Sequence, residues 1–471
     1  MEGASGYRMR LSAFPGILMW RQEYSRPPKT STIHCMSSPP PSYDEAAALV
    51  ATYAAQLGRL RPVVERVELG RAPGRVLARP LCADRDQPPF SRSTRDGFAC
   101  RAVEASAHIP LAIAGITRAG EAPAGELPPG SAWEIMTGAP VPPGADAVIM
   151  LEHVATSNGH VKLEPKRNIA VGENIVALGA QARKGDELLP AGTVIAAAQV
   201  ALAAACGHAA LEVFARPRVA ILTTGDEIVP VKSIPAPGQI RNSNGPMLAA
   251  MVVAAGGEPW LLPNASDDAR ALDTSLSQAM EADLLLITGG VSAGKFDLVE
   301  PALARAGAQF HFTGVRIQPG KPLVFGEMPR HRNAAGNALG PAAASAAWRP
   351  PIAVHSLPLF GLPGNPVSSA VTFLLFAVPV LAALAGSFEP GPRFALARLA
   401  QGTEKHGKAG LTRFLPAKCT FGVDGELPEV ALVPWQGSGD MAAMARSNCF
   451  VVLPEQSNHP EPRAIVRILL Y

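Results

Sequence analysis

Leu284-Leu285-Leu286-Ile287-Thr288-Gly289-Gly290-Val291-Ser292-Ala293-Gly294 is the stretch that sets the architecture. A short apolar run reads as a strand, and it opens straight into a glycine-rich turn. The same pattern recurs on both sides. Val219–Thr223 reads as a strand, Gly245–Ala255 as a helix with Asn244 as its cap, Pro259–Pro263 as a strand and Asp267–Ala282 as a helix. Downstream, Asp297–Ala306 reads as a helix, Phe310–Ile317, Leu323–Phe325 and Leu357–Phe360 as strands, and a long helix begins near Val367. Strands and helices alternating at this spacing predict a parallel sheet with right-handed crossovers. Residues 329–355 interrupt the pattern with an aperiodic run rich in Ala, Pro and Arg, read as an exposed loop insert.

Toward the amino end, Ser42-Tyr43-Asp44-Glu45 has the capping-box pattern ahead of an alanine-rich helix. Val63–Leu81 reads as strand, turn and short strand. From Ala83 to about Gly185 the chain is turn-rich, with short apolar runs such as Ala147–Met150, which predicts a small β domain. Asn168–Thr193 returns from it, and Ile195–Cys206 reads as a second helix. The expected division is therefore a disordered or mis-started extension over 1–41 and a discontinuous helical stalk over 42–85 and 186–215. An inserted β domain follows over 86–185, then an α/β domain over 216–388 and a small β domain over 389–471. Met36 stands just ahead of the first structural signal and is the expected true start.

Composition narrows the function. With 471 residues, 48% of them hydrophobic, the chain can bury more than one core. The net charge of +3 resides in residues 1–35, where five basic side chains (Arg8, Arg10, Arg21, Arg26, Lys29) face two acids (Glu2, Glu23). The body is neutral and carries no basic cluster, which argues against nucleic acid as a partner. Six cysteines are scattered with no C-x-x-C, so neither a zinc site nor a disulfide framework is expected, and a reducing, cytoplasmic compartment fits. Ser369–Gly386 is almost wholly apolar, but it is short for a span, contains Pro379 and starts in a polar turn, so it reads as a buried helix.

In a parallel sheet the ligand sits beyond the carboxyl ends of the strands. Asp226 and Glu227, Asp267, and Asp297 follow three successive strands and fall at that rim. Gly225, Gly289, Gly290 and Gly294 allow a phosphate close to the backbone, and Lys321 in Gln318-Pro319-Gly320-Lys321-Pro322 adds a cation. Carboxylates beside a phosphate site repel it unless a dication lies between, and Mg²⁺ suits oxygen ligands and phosphates. The residues thus point to a Mg²⁺-dependent enzyme acting on a phosphorylated or nucleotidyl substrate. The competing reading is structural, since Asp267 and Asp297 both sit where a helix N-cap belongs. Arg95-Asp96-Gly97 and Thr137-Gly138-Ala139-Pro140, taken singly, are ordinary turns.

Six motifs in this order resemble the molybdopterin molybdenumtransferases, the bacterial MoeA proteins and the E domain of gephyrin. They are Pro88–Ala99, Ile135–Pro142, Thr224-Gly225-Asp226-Glu227, Gly289–Asp297, Pro319-Gly320-Lys321-Pro322 and Leu362-Pro363-Gly364-Asn365-Pro366-Val367-Ser368. The resemblance runs from about Ser42 to the carboxyl terminus. It implies a multidomain α/β protein: a central Mog-like parallel three-layer domain, a helical stalk carrying the β insertion, and a small carboxyl-terminal β barrel. It also implies insertion of molybdenum from molybdate into adenylylated molybdopterin, with release of AMP and a requirement for Mg²⁺. Further implications are a homodimer whose second subunit closes the site, a Mog-type adenylyltransferase as supplier, and neither membrane nor nucleic acid.

Carried over residue by residue, the implied catalytic set is Asp96, Thr137, Glu227, Asp267, Asp297 and Lys321, with Asp267, Asp297 and Glu227 as metal ligands. Asp297 and Asp267 would hold Mg²⁺ or its waters, Lys321 would stabilise developing negative charge, Asp96 would come from the partner subunit, and Thr137 would bind ligand oxygens. Pro363, Pro366 and Ser438 match further family positions. Ser292, Asn365 and Ser368 are added as neutral donors, beside Asp226, Gly289, Gly290, Gly294, Gly320 and Gly364 as substrate contacts. Three departures stand out. Gln181 occupies a position where relatives often carry an acid, Gln318 replaces the first Lys of Lys-Pro-Gly-Lys, and Gly314 aligns with a further Lys of some relatives. These losses motivate an alternative, a weakened paralogue that binds molybdopterin or scaffolds partners. The insert at 329–355 lies just before the Leu362 turn in sequence, placed either to shield or to crowd it, and its role is left open by the sequence.

Overall fold

The computed structural model describes residues 39–60, 62–123, 125–290, 298–330, 355–388, 391–402, 410–422, 426–456 and 460–471. The expectations for most of the amino-terminal extension, for Ser292, Gly294 and Asp297, and for the interior of the insert fall outside them.

Helix α1 (Tyr43–Leu57) starts at the capping box read from sequence: the Ser42 amide donates to Glu45 (2.8 Å) and the Glu45 amide donates to Ser42 Oγ (3.2 Å). Its buried stripe of Tyr43, Ala46, Val50, Ala54 and Leu57 follows helical spacing. That stripe packs on the α/β core, with Tyr43 edge-on to Phe376 and Phe414 and Tyr53 edge-on to Phe325. Strand β1 (Val64–Glu68) leads toward the inserted domain. That domain is a six-stranded sheet of β2 (Gly97–Cys100), β3 (Leu111–Thr117), β4 (Ser131–Ile135), β5 (Ala147–Met150), β6 (Val154–Ser157) and β7 (His160–Leu163), in the order β5-β2-β4-β3-β7-β6. After it, α2 (Ala197–Ala205) and β8 (Ala210–Phe214) return, and β8 pairs antiparallel with β1 over a small core that includes Leu77, Leu81, Ile195 and Val213.

The central sheet is built from β9 (Arg218–Thr223), α3 (Asn244–Ala254), β10 (Glu258–Leu261), α4 (Ala269–Ala279), β11 (Leu284–Thr288), α5 (Val299–Arg305), β12 (Gln309–Thr313), β13 (Val324–Pro329), β14 (Ser356–Leu362) and α6 (Pro366–Leu384). Strand order is β10-β9-β11-β14-β13-β12. Alternate residues serve opposite faces. Val219, Ile221, Leu284, Leu286, Phe360 and Leu362 join one core with α1, α3 and α6. Ala220, Leu222, Leu285, Ile287, Leu357 and Leu359 join a second core with α4 and α5. Both faces are covered, which is why these strands read as unbroken apolar runs.

β9, β10, β11 and β14 pair in parallel, while β13 pairs antiparallel with both β14 and β12 and so runs against the other five strands of this sheet. The link 314–323 is too short for a crossover helix, so the edge turns back instead. The apolar run read as a buried helix is α6, almost wholly buried within the fold, with a widened turn over Phe373–Ala377 just before Pro379, which has no N–H to donate. The chain closes with β15 (Phe394–Leu399), β16 (Thr412–Thr420), β17 (Glu429–Leu432), α7 (Met441–Arg446), β18 (Cys449–Leu453) and β19 (Ile465–Leu470). The ladder β16-β17-β15-β19-β18 returns to β16 and forms a closed barrel.

The described ends of the insert lie at the other end of β14 from the Leu362 turn. Pro329 pairs with Ser356 and the Arg330 amide donates to His355 (2.8 Å), at the amino end of β14. Seven residues of extended strand, roughly 20 Å at about 3.3 Å each, separate that end from Leu362.

Candidate active site

A cleft of about 930 Å³ opens beyond the carboxyl ends of the parallel strands. Its walls are Thr223–Gly225 after β9, Asp267 after β10, Thr288–Gly290 after β11, Pro363–Pro366 ahead of α6, and Gln239–Asn244 leading into α3, with Gly439 and Met441 contributed from the barrel. The floor depends on glycine. Gly289 has φ +95°, and a Cβ there would lie 2.5 Å from the Thr224 carbonyl oxygen. Any larger residue would push the ends of β9 and β11 apart.

Hydrogen bonds lock the rim. Asn242 Oδ1 accepts from the Gly245 amide (2.9 Å), so Asn242, rather than Asn244, serves the first turn of α3. Asn242 Nδ2 donates to Thr223 Oγ1 (3.0 Å), Thr223 donates to Asn264 Oδ1 (2.9 Å), and Asn264 Nδ2 donates to the Gly225 carbonyl (3.1 Å). Asn244 instead reaches across the cleft floor. Its Nδ2 donates to Thr288 Oγ1 (2.8 Å) and to the Gly364 carbonyl (2.7 Å), and Thr288 donates to the Pro363 carbonyl (3.1 Å).

The acids divide sharply. Asp268 caps α4, accepting from the amides of Arg270 and Ala271, both at 3.0 Å. Asp267 is thereby free of the capping duty that the sequence left open for it, and it lines the cleft. Asp226 accepts from the Asp267 amide (3.1 Å) and stays off the lining, holding the loop. Glu227 lines the cleft, its carboxylate folded over Gly225, where an added Cβ would lie 2.5 Å from Oε2.

Of the residues predicted from sequence, the cleft gathers Glu227, Asp267, Gly289, Gly290, Pro363, Gly364, Asn365 and Pro366. Lys321 is exposed beside it, and its neighbour Pro322 lines it. Gly320 (φ +113°) is buried against Thr372, whose Cγ2 an added Cβ would meet at 2.6 Å. Ser368 is buried in the first turn of α6, and the Ser438 carbonyl accepts from the Val367 amide (3.0 Å). Gln318 pairs in register with Arg413 of the barrel and does not line the cleft. Asp96 and Thr137 meet each other in the inserted domain, where the Thr137 amide donates to Asp96 Oδ1 (2.6 Å). The hydrogen bonds from Thr137 hold the Asp96 carboxyl below the usual carboxylate range. Neither residue lines the cleft. Among the described residues no three His, Cys, Asp or Glu side chains form a metal-holding group, while two predicted ligands, Glu227 and Asp267, share the cleft.

Sequence reading named Thr224 only within a family motif, passed over Thr223, Arg241 and Asn242, which also line the cleft, and read Asn244 as a cap. A turn Asn242-Ser243-Asn244 between a strand end and a helix start was the available signal.

Comparison with known proteins agrees along the whole fold. Residues 41–207 match the MoeA N-terminal region (domain I and II), 220–383 a probable molybdopterin binding domain, and 398–469 the MoeA C-terminal region (domain IV). A molybdopterin molybdenumtransferase of Nostoc sp. is 32% identical over 440 residues, covering 92% of this chain and 94% of that protein. One from Bacillus subtilis is 34% identical over 407 residues, covering 84% and 87%. The solved structure of a molybdopterin biosynthesis moeA protein from Pyrococcus horikoshii superposes with a TM-score of 0.70 at 27% identity, covering 92% of this chain and all of that one. Matches of this length, across all the domains that build and flank the cleft, mean that the chain belongs to the molybdopterin molybdenumtransferase family, enzymes of molybdenum cofactor biosynthesis.

Proposed function

We propose that the protein transfers molybdenum from molybdate into adenylylated molybdopterin and releases AMP. The observation that carries this reading is the cleft at the carboxyl rim of the sheet, where Glu227 and Asp267 stand beside the Gly289-Gly290 turn. The two carboxylates face one space and neither forms an ion pair among the described residues, so an oxygen-seeking dication fits between them. Glu227 and Asp267 would hold Mg²⁺, with Asp297 as the third ligand expected from sequence; bound there, the ion would neutralise phosphoanhydride oxygens and polarise the bond to be broken. The glycine turn gives the substrate's phosphates close access to backbone, and Lys321 at the rim offsets the negative charge that grows on the departing AMP. The rigid Asn242 and Asn244 networks hold these groups at fixed separation, which favours reaction by orientation.

Asp96 and Thr137 belong to the same machinery in a homodimer, where the inserted domain of one subunit would complete the cleft of the other. A Mog-type adenylyltransferase would supply the substrate, and the cytoplasm is the compartment that this exchange requires. Gln318 does not line the cleft, so the cation missing there leaves the cleft's own groups in place and favours the enzyme over a scaffolding paralogue. Purified protein given adenylylated molybdopterin, molybdate and Mg²⁺ should release AMP. No AMP, with substrate still bound, rejects the reading; AMP released equally without molybdate makes the protein a hydrolase instead.

A further inference from the structure

Two polar atoms on the cleft floor have no partner among the described residues. Thr224 is only 3% exposed, and its Oγ1 makes no hydrogen bond among the described residues. Asn244 Oδ1 is likewise buried and unpaired. Both residues line the cleft, on either side of Thr288: the Thr224 amide donates to the Thr288 carbonyl (3.1 Å), and Asn244 Nδ2 donates to Thr288 Oγ1 (2.8 Å).

The fold does not need these atoms unpaired. A buried hydroxyl without a partner destabilises the protein, and valine would fill the same space at a strand end without that cost. The roles of the two atoms can be read from their surroundings. Asn244 Nδ2 faces the Gly364 carbonyl, which can only accept, so the amide cannot be flipped. Its Oδ1 is therefore a fixed acceptor. A fixed acceptor repels an oxyanion and requires an N–H or O–H from its ligand. The Thr224 hydroxyl is free to donate.

We infer that Thr224 and Asn244 form a donor–acceptor pair that binds the uncharged hydrogen-bonding edge of a heterocycle in the substrate, not its phosphates. An amino group or ring N–H of the ligand would donate to Asn244 Oδ1, and an adjacent ring nitrogen or carbonyl would accept from Thr224. This deepens the molybdenumtransferase reading and rests on it. Both a pterin and an adenine carry such an edge, so the test separates them.

The experiment is titration calorimetry of the full chain with three probes, 6-hydroxymethylpterin, AMP and inorganic phosphate, on the wild type, Thr224→Val and Thr224→Ser, with thermal unfolding of each free protein. Thr224→Val should bind one heterocycle about tenfold more weakly, the loss expected for one hydrogen bond. Thr224→Ser should restore it, phosphate binding should not change, and the free Thr224→Val protein should unfold at the same or a higher temperature. Weakening with the pterin alone assigns the pair to the pterin, and weakening with AMP alone or with both assigns it to the adenine or to either ring. Equal binding of all probes by Thr224→Val, a fall in phosphate binding, a lower unfolding temperature of the free variant, or a wild type that binds neither heterocycle overturns the inference. Failure of AMP release in the presence of intact heterocycle discrimination would instead reject the parent reading and leave this pair standing.

Discussion

Replacing Asp268 by Ala and, separately, Asp267 by Asn should divide stability from chemistry within one dipeptide. Asp268 Oδ2 meets two first-turn amides of α4, each at 3.0 Å, donors that otherwise have no intrahelical partner. Losing such a cap costs about 1 kcal/mol, within a range of about 0.5–2. The effect should reach the whole α/β domain, because α4 contributes Leu272, Leu276 and Ala279 to the core beneath β9 and β11. A unit of this size should then melt about 2–4 °C lower. Asp267 accepts no hydrogen bond among the described residues and faces the cleft, so Asp267→Asn should leave stability within about 0.5 kcal/mol. AMP release should fall on the order of 10²-fold, the scale of removing one preorganised electrostatic group. Urea unfolding followed by far-ultraviolet circular dichroism reads the first quantity, and AMP release reads the second. The reasoning fails if Asp267→Asn loses as much stability as Asp268→Ala, or if it releases AMP at the wild-type rate.

Three more expectations follow from separate parts of the molecule. Burial pushes the Asp283 carboxyl up to about 7 despite the backbone hydrogen bond from Arg218 and the charges of Arg330 and Arg218. A raised folded pKa means that its stabilising protonation is complete below about pH 4 and is lost as pH rises through about 7, so Asp283→Asn should flatten the pH dependence of unfolding across that window. Gly289→Ala must place a Cβ 2.5 Å from the Thr224 carbonyl at φ +95°, which should cost roughly 1–3 kcal/mol in denaturant unfolding and weaken AMP binding in parallel. The Asp96 carboxyl is depressed, so its bond to the Thr137 amide should persist on acidification and be lost only as pH falls below the usual carboxylate range. The Thr137 amide shift measured against pH would show it, and a midpoint at or above the usual range would contradict the hydrogen bond.

The architecture was legible where local signals and packing agree. Leu284–Ile287 is apolar throughout because helices cover both faces of β11, and the Ser42–Glu45 box starts α1 as written. What could not be read was partner choice. Sequence assigns α1 to a stalk by proximity, yet its stripe packs on Phe325, Phe376 and Phe414, far along the chain. The antiparallel return of β13 was hidden because a strand's direction is set by the reach of its connection, not by its residues. In the site, Glu227 and Asp267 were legible as acids after strands. The neutral groups were not, since Thr224 and Asn244 look like any strand end and helix start until their unpaired atoms are seen in place.

The Arg330–His355 closure has a practical meaning. The backbone bond at 2.8 Å ties the two strand ends together, so the pairing of β13 with β14 is anchored on its own and does not depend on the length of chain that joins them. Lengthening a closed loop costs little, about 0.6 kcal/mol per doubling. Arg330 and His355 are therefore a stitch at which a graft of different length should be tried, a fluorescent reporter included, with the paired strands as its fixed frame.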